Sequence, residues 1–178
     1  MTTPLVMTFI GRDRPGLVNA ISRKVAENEG TWLESRLARL AGEFAGIVRL
    51  EAPEERIDDL TAALRELEGQ GLHVAVSRGI SSREPRPGAA LTIELLGLDR
   101  PGIVRDVTET LNHLGVNIEE FESGLKSEAF TGASMFQATA RLHTPEGLSV
   151  DDLRKALERL AGELMADISV TADAERPL

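Results

Sequence analysis

The sequence predicts an α+β fold that is built twice, as two copies of a βαββαβ unit in which an antiparallel sheet carries two helices on one face. Three observations predict it: an eight-residue turn is repeated, apolar residues at helical spacing follow each turn, and strand-like segments recur in the same order. A chain of 178 residues has room for two such domains, each near the lower size for a stable core. We therefore expect domains at 1–80 and 89–172, a linker at 81–88 and a tail at 173–178.

The repeated turn anchors the comparison of the two halves. "GRDRPGLV" at 11–18 and "GLDRPGIV" at 97–104 are identical at six of eight positions. Strands are expected just before them, at 5–10 and 90–96, and a helix just after. We expect the first glycine of the turn to bend the backbone where the strand ends. The aspartate should lie at or just before the helix N-cap, and the proline in the first helical turn.

The later segments of the two halves also align. "EFAGIVRLEAPE" at 43–54 matches "MFQATARLHTPE" at 135–146 with an offset of 92 residues, so the second copy has extra residues within 123–134. The segments "IDDLTAALREL" and "VDDLRKALERL" share a helical stripe of apolar residues, and Ser149 with Asp152 predicts an N-terminal cap. Each copy closes with a short strand, "LHVAVSR" or "LMADISV".

Composition excludes several classes of function. The net charge is −9, divided as −1 over residues 1–88 and −8 over residues 89–178, which disfavours DNA binding and leaves either plain solubility or a face for a basic partner. The chain has no cysteine, and its three histidines are far apart, so we expect no metal, cofactor or catalytic residue. No apolar run reaches the roughly 20 residues of a membrane span, and no leader is recognisable, so we expect a cytoplasmic protein.

The turn suits a zwitterion. Free amides at a helix start, together with the helix dipole, favour a carboxylate or phosphate, and the nearby aspartate could receive an ammonium group. The alternative is that aspartate, proline and glycine only start the helix. Arg14 and Arg100 are not explained by helix starting; each is either a solvated charge or an anion contact.

The pattern "LDRPGIV" followed by "LGVNIEEF" resembles the ACT domain, a ferredoxin-like sensor of small molecules, and the resemblance covers nearly all of residues 5–171. Two copies in so short a chain resemble the glycine cleavage system transcriptional repressor type. The resemblance implies domains paired side by side, with an amino acid bound at a domain interface. It implicates these residues of the second copy as ligand-binding: Asp99, Arg100, Pro101, Gly102, Ile103, Val104, Asn117 and Ile118.

The first copy departs from this pattern after its helix. Gly30 and Gly115 are both expected to end a helix as left-handed caps, but "GVNI" becomes "GTWL", which places Trp32 at the position of Asn117. Trp32 is then either a packing residue or a wall of the other copy's pocket. A weaker first-copy site would comprise Asp13, Arg14, Pro15, Gly16, Leu17 and Trp32.

The sequence therefore predicts a non-enzymatic regulatory protein, expected as a homodimer. It would bind a glycine- or serine-like amino acid and modulate a protein partner, by resemblance a regulator of transcription. The protein itself would contact neither nucleic acid nor membrane. The alternative is a ligand-free interaction module that docks on a metabolic enzyme.

Overall fold

The computed structural model describes residues 1–80, 87–127 and 132–172. The chain divides into two compact units, Met1–Glu84 and Pro85–Leu178. Each unit is a four-stranded antiparallel sheet with two helices, which confirms the predicted fold class. Most of the predicted linker and the whole predicted tail lie outside the described residues.

The first domain follows the predicted βαββαβ order, with its strands arranged β2-β3-β1-β4 in the sheet. Short 3₁₀ helices precede and follow its second α-helix, at Glu54–Arg56 and Glu66–Gln70. Its strands and α-helices are β1 (Thr2–Arg12), α1 (Leu17–Glu27), β2 (Thr31–Leu40), β3 (Glu43–Pro53), α2 (Ile57–Arg65) and β4 (Leu72–Arg78).

The second domain repeats this order, with its strands arranged β6-β7-β5-β8. The predicted cap is confirmed, because the Ser149 side chain accepts a hydrogen bond from the Asp152 amide at 3.1 Å. The closing strand begins two residues later than "LMADISV" suggested, since Leu164 still belongs to the preceding helix. The elements are β5 (Ala90–Leu98), α3 (Ile103–His113), β6 (Asn117–Ser127), β7 (Ser134–His143), α4 (Val150–Leu164) and β8 (Ala166–Ala172).

Each domain has one hydrophobic core between the sheet and its two helices. In β1 and β5 every second side chain faces this core, as period-two strands require. The predicted apolar stripe on the second helix of each copy is buried as expected. It comprises Ile57, Leu60, Leu64 and Leu67 in the first domain and Leu153, Leu157 and Leu160 in the second; Val150, the first residue of the second stripe, is partly buried against the core.

Residues 87–88, which the sequence assigns to the linker, lie against the end of β7. The Pro87 carbonyl is 3.2 Å from His143 Nε2. A Cβ on Gly88, whose φ is 123°, would lie 1.9 Å from the Thr144 carbonyl oxygen. This close approach explains a glycine here, and it continues the second domain back to residue 87.

The strand registers correct the alignment of "GTWL" with "GVNI". Trp32 pairs with Leu50, and Ile118 pairs with the corresponding Leu142. The register then shifts by one residue in both hairpins, in β2 between residues 32 and 34 and in β6 between residues 118 and 120. The offset therefore stays at 86, so Trp32 corresponds to Ile118, and Thr31 to Asn117.

The same one-residue error affects the predicted helix caps. The left-handed residue after α1 is Glu29, with φ 58°, and it corresponds to Gly115, with φ 68°. The expectation that Gly30 is a left-handed cap was wrong. A Cβ on Gly30 would lie 2.9 Å from Val25 Cγ1 and 3.0 Å from the Val25 carbonyl oxygen, so Gly30 allows close packing.

Candidate functional site

The repeated "RPG" segment has the dihedral angles of a type II β-turn. Gly16 has φ 92° and ψ −1°, and Gly102 has φ 87° and ψ 0°, the values for the third residue of such a turn. The preceding proline suits the second position, because its ring fixes φ. In the second copy the Ile103 amide donates to the Arg100 carbonyl at 3.4 Å, which closes the turn.

This geometry overturns the predicted roles of two turn residues. The N-caps are Gly16 and Gly102, and neither helix has a side-chain cap, so the aspartates are not capping residues. The prolines precede the helices and do not lie in their first turn. The aspartates instead end the strands: the Asp99 amide donates to the Ser134 carbonyl at 2.9 Å.

The first glycine of each motif lies inside a strand and does not end it. β1 continues past Gly11 to Arg12, and β5 continues past Gly97 to Leu98. A Cβ on Gly11 would lie 2.6 Å from the Gly71 carbonyl oxygen, and one on Gly97 would lie 2.6 Å from Ala166 Cβ. Gly11 and Gly97 therefore allow the closing strand of each domain, β4 or β8, to approach closely. The expectation that these glycines bend the chain was wrong.

We expect Gly16→Ala to lower the free energy of unfolding by about 1 kcal/mol, because an L side chain is strained at φ 92°. A matched control is Gly162→Ala within α4, where a Cβ has open space and a helical φ, and where we expect about 0.5–1 kcal/mol of stabilisation. Urea unfolding followed by circular dichroism would compare the two. Equal effects of the same sign would contradict the assigned turn.

The turn presents backbone amides at the start of each helix. The first intrahelical hydrogen bonds run from Asp106 N to Gly102 O at 3.0 Å and from Ala20 N to Gly16 O at 2.8 Å. The amides just before Asp106, those of Val104 and Arg105, therefore have no helical acceptor. The helix dipole adds partial positive charge at the same place.

In the second domain three charged side chains meet at this helix start. Arg100 Nη2 lies 2.7 Å from Asp106 Oδ2, and Arg105 Nη2 lies 2.8 Å from Asp106 Oδ1. Hydrogen bonds from Arg105 first, and then from Arg100, hold the pKa of the Asp106 carboxyl below its usual value. The anion that Arg100 contacts is thus the carboxylate of Asp106, which lies in the first turn of α3. Arg100 Nε is buried without a hydrogen-bond partner among the described residues.

The first domain arranges its charges differently. Arg39 Nε lies 2.7 Å from Asp13 Oδ2, and Arg14 Nη2 donates to the Gln70 carbonyl at 3.0 Å. The counterpart of Asp106 is Ala20, which has no carboxylate to offer. The aspartate of this turn is therefore held by a cation from its own domain.

Among the described residues of the second domain, no cation pairs with Asp99 as Arg39 pairs with Asp13. The residue 86 positions after Arg39 is Leu125, which pairs with Phe136 as Arg39 pairs with Phe44. Within residues 87–127 and 132–172, no hydrogen bond or ion pair engages the Asp99 side chain. Asp99 is exposed, and it lies four residues before α3 begins.

The remaining predicted residues lie elsewhere in their domains. Asn117 pairs with His143 at one end of β7, whereas Asp99 lies beside Ser134 at the other end. Ser134 and His143 are nine residues apart along β7, or about 30 Å. Within the second domain Asn117 and Ile118 therefore do not join the turn. In the first domain Trp32 is likewise remote from the residue 13–17 turn and packs on the core.

Sequence reasoning missed Arg39, Arg105 and Asp106. An acidic residue in the first turn of a helix is a recognisable signal, so Asp106 could have been noted beside Arg100. The contact of Arg39 with Asp13 depends on where the β2–β3 hairpin ends, which no local pattern shows.

The described parts of the chain show neither a metal centre nor a membrane span. No group of three or more histidine, aspartate or glutamate side chains among them could hold a metal ion. None of the described helices is both long enough and apolar enough to cross a bilayer.

Comparisons with known proteins agree with this architecture. Residues 3–77 match the ACT domain family. The glycine cleavage system transcriptional repressors of Escherichia coli (strain K12) and Shigella flexneri are each 28% identical over 168 residues, which is 93% of this chain and 88% of theirs. A crystal structure of an unknown protein from Galdieria sulphuraria is 28% identical, with a TM-score of 0.87 over 98% of this chain and all of that one.

The family match lies in the first domain, whereas the similarity to the two repressors covers both domains. The second domain has the same strand order, the same type II turn and a corresponding register throughout. Two copies of one fold thus account for both compact units. The first domain of the chain matches the ACT domain family, and over most of its length the chain is similar to the glycine cleavage system transcriptional repressors.

Proposed function

We propose that this chain is a non-enzymatic regulatory protein that binds a small α-amino acid at the turn of its second domain. Binding changes the affinity for a protein partner, and by linkage the partner changes the affinity for the amino acid equally. The similarity to proteins named as transcriptional repressors supports a partner that regulates transcription. A cytoplasmic homodimer that touches neither DNA nor membrane is part of the same proposal.

One observation carries the choice of site. Asp99 is exposed and unpaired among the described residues, whereas Asp13 is held 2.7 Å from Arg39. An ammonium group can therefore pair with Asp99 without first displacing an arginine. The amides of Val104 and Arg105, together with the helix dipole, favour the carboxylate of the same molecule.

Charge supports a protein partner rather than a nucleic acid. Residues 89–178 carry a net charge of −8, which repels phosphate and attracts a basic protein surface. An amino acid bound at the turn is a neutral zwitterion, so it would act by changing local packing and not by changing this charge.

The test compares Asp99→Asn with the matched variant Asp13→Asn. We expect Asp99→Asn to weaken amino-acid binding by about tenfold or more, because a charge-assisted hydrogen bond is lost. Asp13→Asn should leave binding within about twofold of the parent. Isothermal titration calorimetry with glycine, serine, alanine and valine is the measurement, since Trp32 lies in the first domain. If both variants lost the same amount of amino-acid affinity, the turn of the second domain would not be the binding site.

A ligand-free interaction module is the second candidate. It is favoured by Asp106, whose carboxylate already satisfies Arg100 and Arg105 at the helix start. In that case no amino acid would raise the melting temperature. A ligand at one hundred times its dissociation constant should stabilise the protein by about 2.7 kcal/mol.

A further inference from the structure

Each sheet has one face against which none of the described helices packs, and we call it the open face. The two helices of each domain pack on the other face, over the core that contains Leu5 in the first domain and Leu91 in the second. Side chains alternate along a strand, so the residues between the core-facing ones point to the open face. Three rows of paired residues cross all four strands there. These rows pass through Val6, Thr8 and Ile10 in the first domain and through Thr92, Glu94 and Leu96 in the second.

The open face of the first domain combines exposed apolar residues with arginines. Ile10 and Ile47 are 46% and 48% exposed, and alanines lie beside them in the same rows. Arg36 pairs with Ile47 across β2 and β3, and Arg49 lies one row further along β3. Glu34 lies 2.8 Å from Arg36, and the charged residues of the three rows give a net charge of +1 with histidine taken as neutral. Contiguous exposed apolar residues bordered by charged ones are typical of an interface.

The open face of the second domain is acidic. The large apolar residue of its three rows is Leu96, which is 44% exposed. The rows carry a net charge of −3, from Glu94, Glu120, Glu122 and Asp167 against Arg141. Glu120 lies 3.4 Å from Arg141, so that pair is neutral and the other three carboxylates set the sign of the face. The two open faces are therefore complementary in charge.

The three carboxylates are a property of the second domain alone. The registers align Glu122 with Arg36, Asp167 with His73 and Glu94 with Thr8. The first domain builds the same sheet without them, and acidic residues are not favoured in strands. The fold therefore does not require the carboxylates, whereas docking on a basic surface would.

The area of the open faces fits a dimer with two-fold symmetry. Strands lie about 4.8 Å apart and rows about 7 Å apart, so each open face covers roughly 20 Å by 20 Å, or roughly 400 Å². One pair of faces would bury roughly 800 Å², which is about half of what a stable interface buries. A two-fold axis that brings one pair of faces together brings the second pair together as well, which doubles the buried area.

We propose that the open face of the first domain of one copy packs on the open face of the second domain of another copy, and that this pairing forms the homodimer. The cations of one face then meet the carboxylates of the other, and Ile10 and Ile47 are removed from water. A pairing of two like faces would oppose carboxylate to carboxylate or arginine to arginine, which disfavours it. The inference rests on the proposed function only for the existence of a homodimer.

The experiment measures the dimer dissociation constant of the full chain by sedimentation equilibrium. Arg36→Glu and Glu122→Arg each install the residue that the other domain has at the corresponding position. Each brings like charges together twice in the two-fold dimer, so we expect each to raise the dissociation constant at least about tenfold. Arg23→Glu, on the exposed surface of α1, makes the same charge change as Arg36→Glu and should stay within about twofold of the parent.

A second pair of variants tests the apolar part of the interface. Ile47→Asp places an unpaired carboxylate against the partner and should raise the dissociation constant at least about a hundredfold. Val18→Asp is the matched control, because Val18 is 40% exposed but lies on α1, in the helical layer. It should leave the dimer intact. Melting curves followed by circular dichroism verify that each variant keeps the fold.

The outcomes separate this inference from the proposed function. A parent chain that is monomeric overturns both the homodimer and this inference. If the parent is a dimer that the three open-face variants leave intact, or that Val18→Asp dissociates, only this surface is overturned. Dissociation by Arg36→Glu but not by Glu122→Arg would indicate two first domains facing each other, and it would also overturn the inference. If no amino acid binds to a dimer that the three open-face variants dissociate, the proposed function fails and this inference stands.

Discussion

Leu60→Ala is expected to lower the free energy of unfolding of the first domain by about 3–4 kcal/mol. Leu60 is fully buried on α2, between the helices and the sheet. Its truncation removes apolar burial and leaves a cavity that the surrounding strands cannot close. Urea unfolding followed by Trp32 fluorescence would measure the loss, because Trp32 packs against this same core.

Leu40→Ala is the matched control for Leu60→Ala. Leu40 ends β2 at the hairpin and is 80% exposed, so its truncation should change the free energy of unfolding by less than about 0.5 kcal/mol. A loss at Leu40 comparable to that at Leu60 would contradict the assigned core of the first domain.

Gly30→Val is expected to cost about 2–3 kcal/mol, although the second domain has valine at the corresponding position. In the first domain the new Cβ would lie 2.9 Å from Val25 Cγ1 and 3.0 Å from the Val25 carbonyl oxygen. Val116 is accommodated because Leu111 stands where the first domain has Val25, and leucine is not branched at Cβ. The change in urea midpoint, again read from Trp32 fluorescence, measures the cost.

Gly69→Val serves as the control for Gly30→Val. A Cβ on Gly69 meets no atom within 4 Å, so this substitution should change stability by less than about 1 kcal/mol. If Gly30→Val were as mild, Gly30 would not be the close-packed counterpart of Val116, and the register that excludes it from a left-handed cap would be wrong.

The fold was predictable because duplication repeats every core-facing position. The helical stripe from Ile57 to Leu67 recurs at an offset of 93, and a pattern kept in both copies while other positions changed indicates core-facing residues. The type II turn was within reach of the sequence as well, since proline followed by glycine is its usual signature. Aspartate, proline and glycine are also common at the start of a helix, so the sequence equally favours placing them in the first turn of the helix.

The site was less predictable because it depends on registers and on contacts between distant segments. Gly30 of "GTWL" aligns by residue type with Gly115 of "GVNI", but in the structure Glu29 has the left-handed conformation that corresponds to that of Gly115. Asn117 and the turn were grouped by resemblance, although β6 begins at the opposite end of the sheet from Asp99. Periodicity shows which face a residue lies on, but not which end of the strand comes near a ligand.

The ion pair between Arg39 and Asp13 has a consequence for how such a chain could evolve. The first domain already carries its own cation at the place where the second leaves a carboxylate free. On the proposed function, the copy whose aspartate is already paired binds no ligand, so after duplication it needs only to keep its fold. Its twin is then free to change its chemistry. A single codon change at Arg39 would remove this difference and expose both aspartates alike.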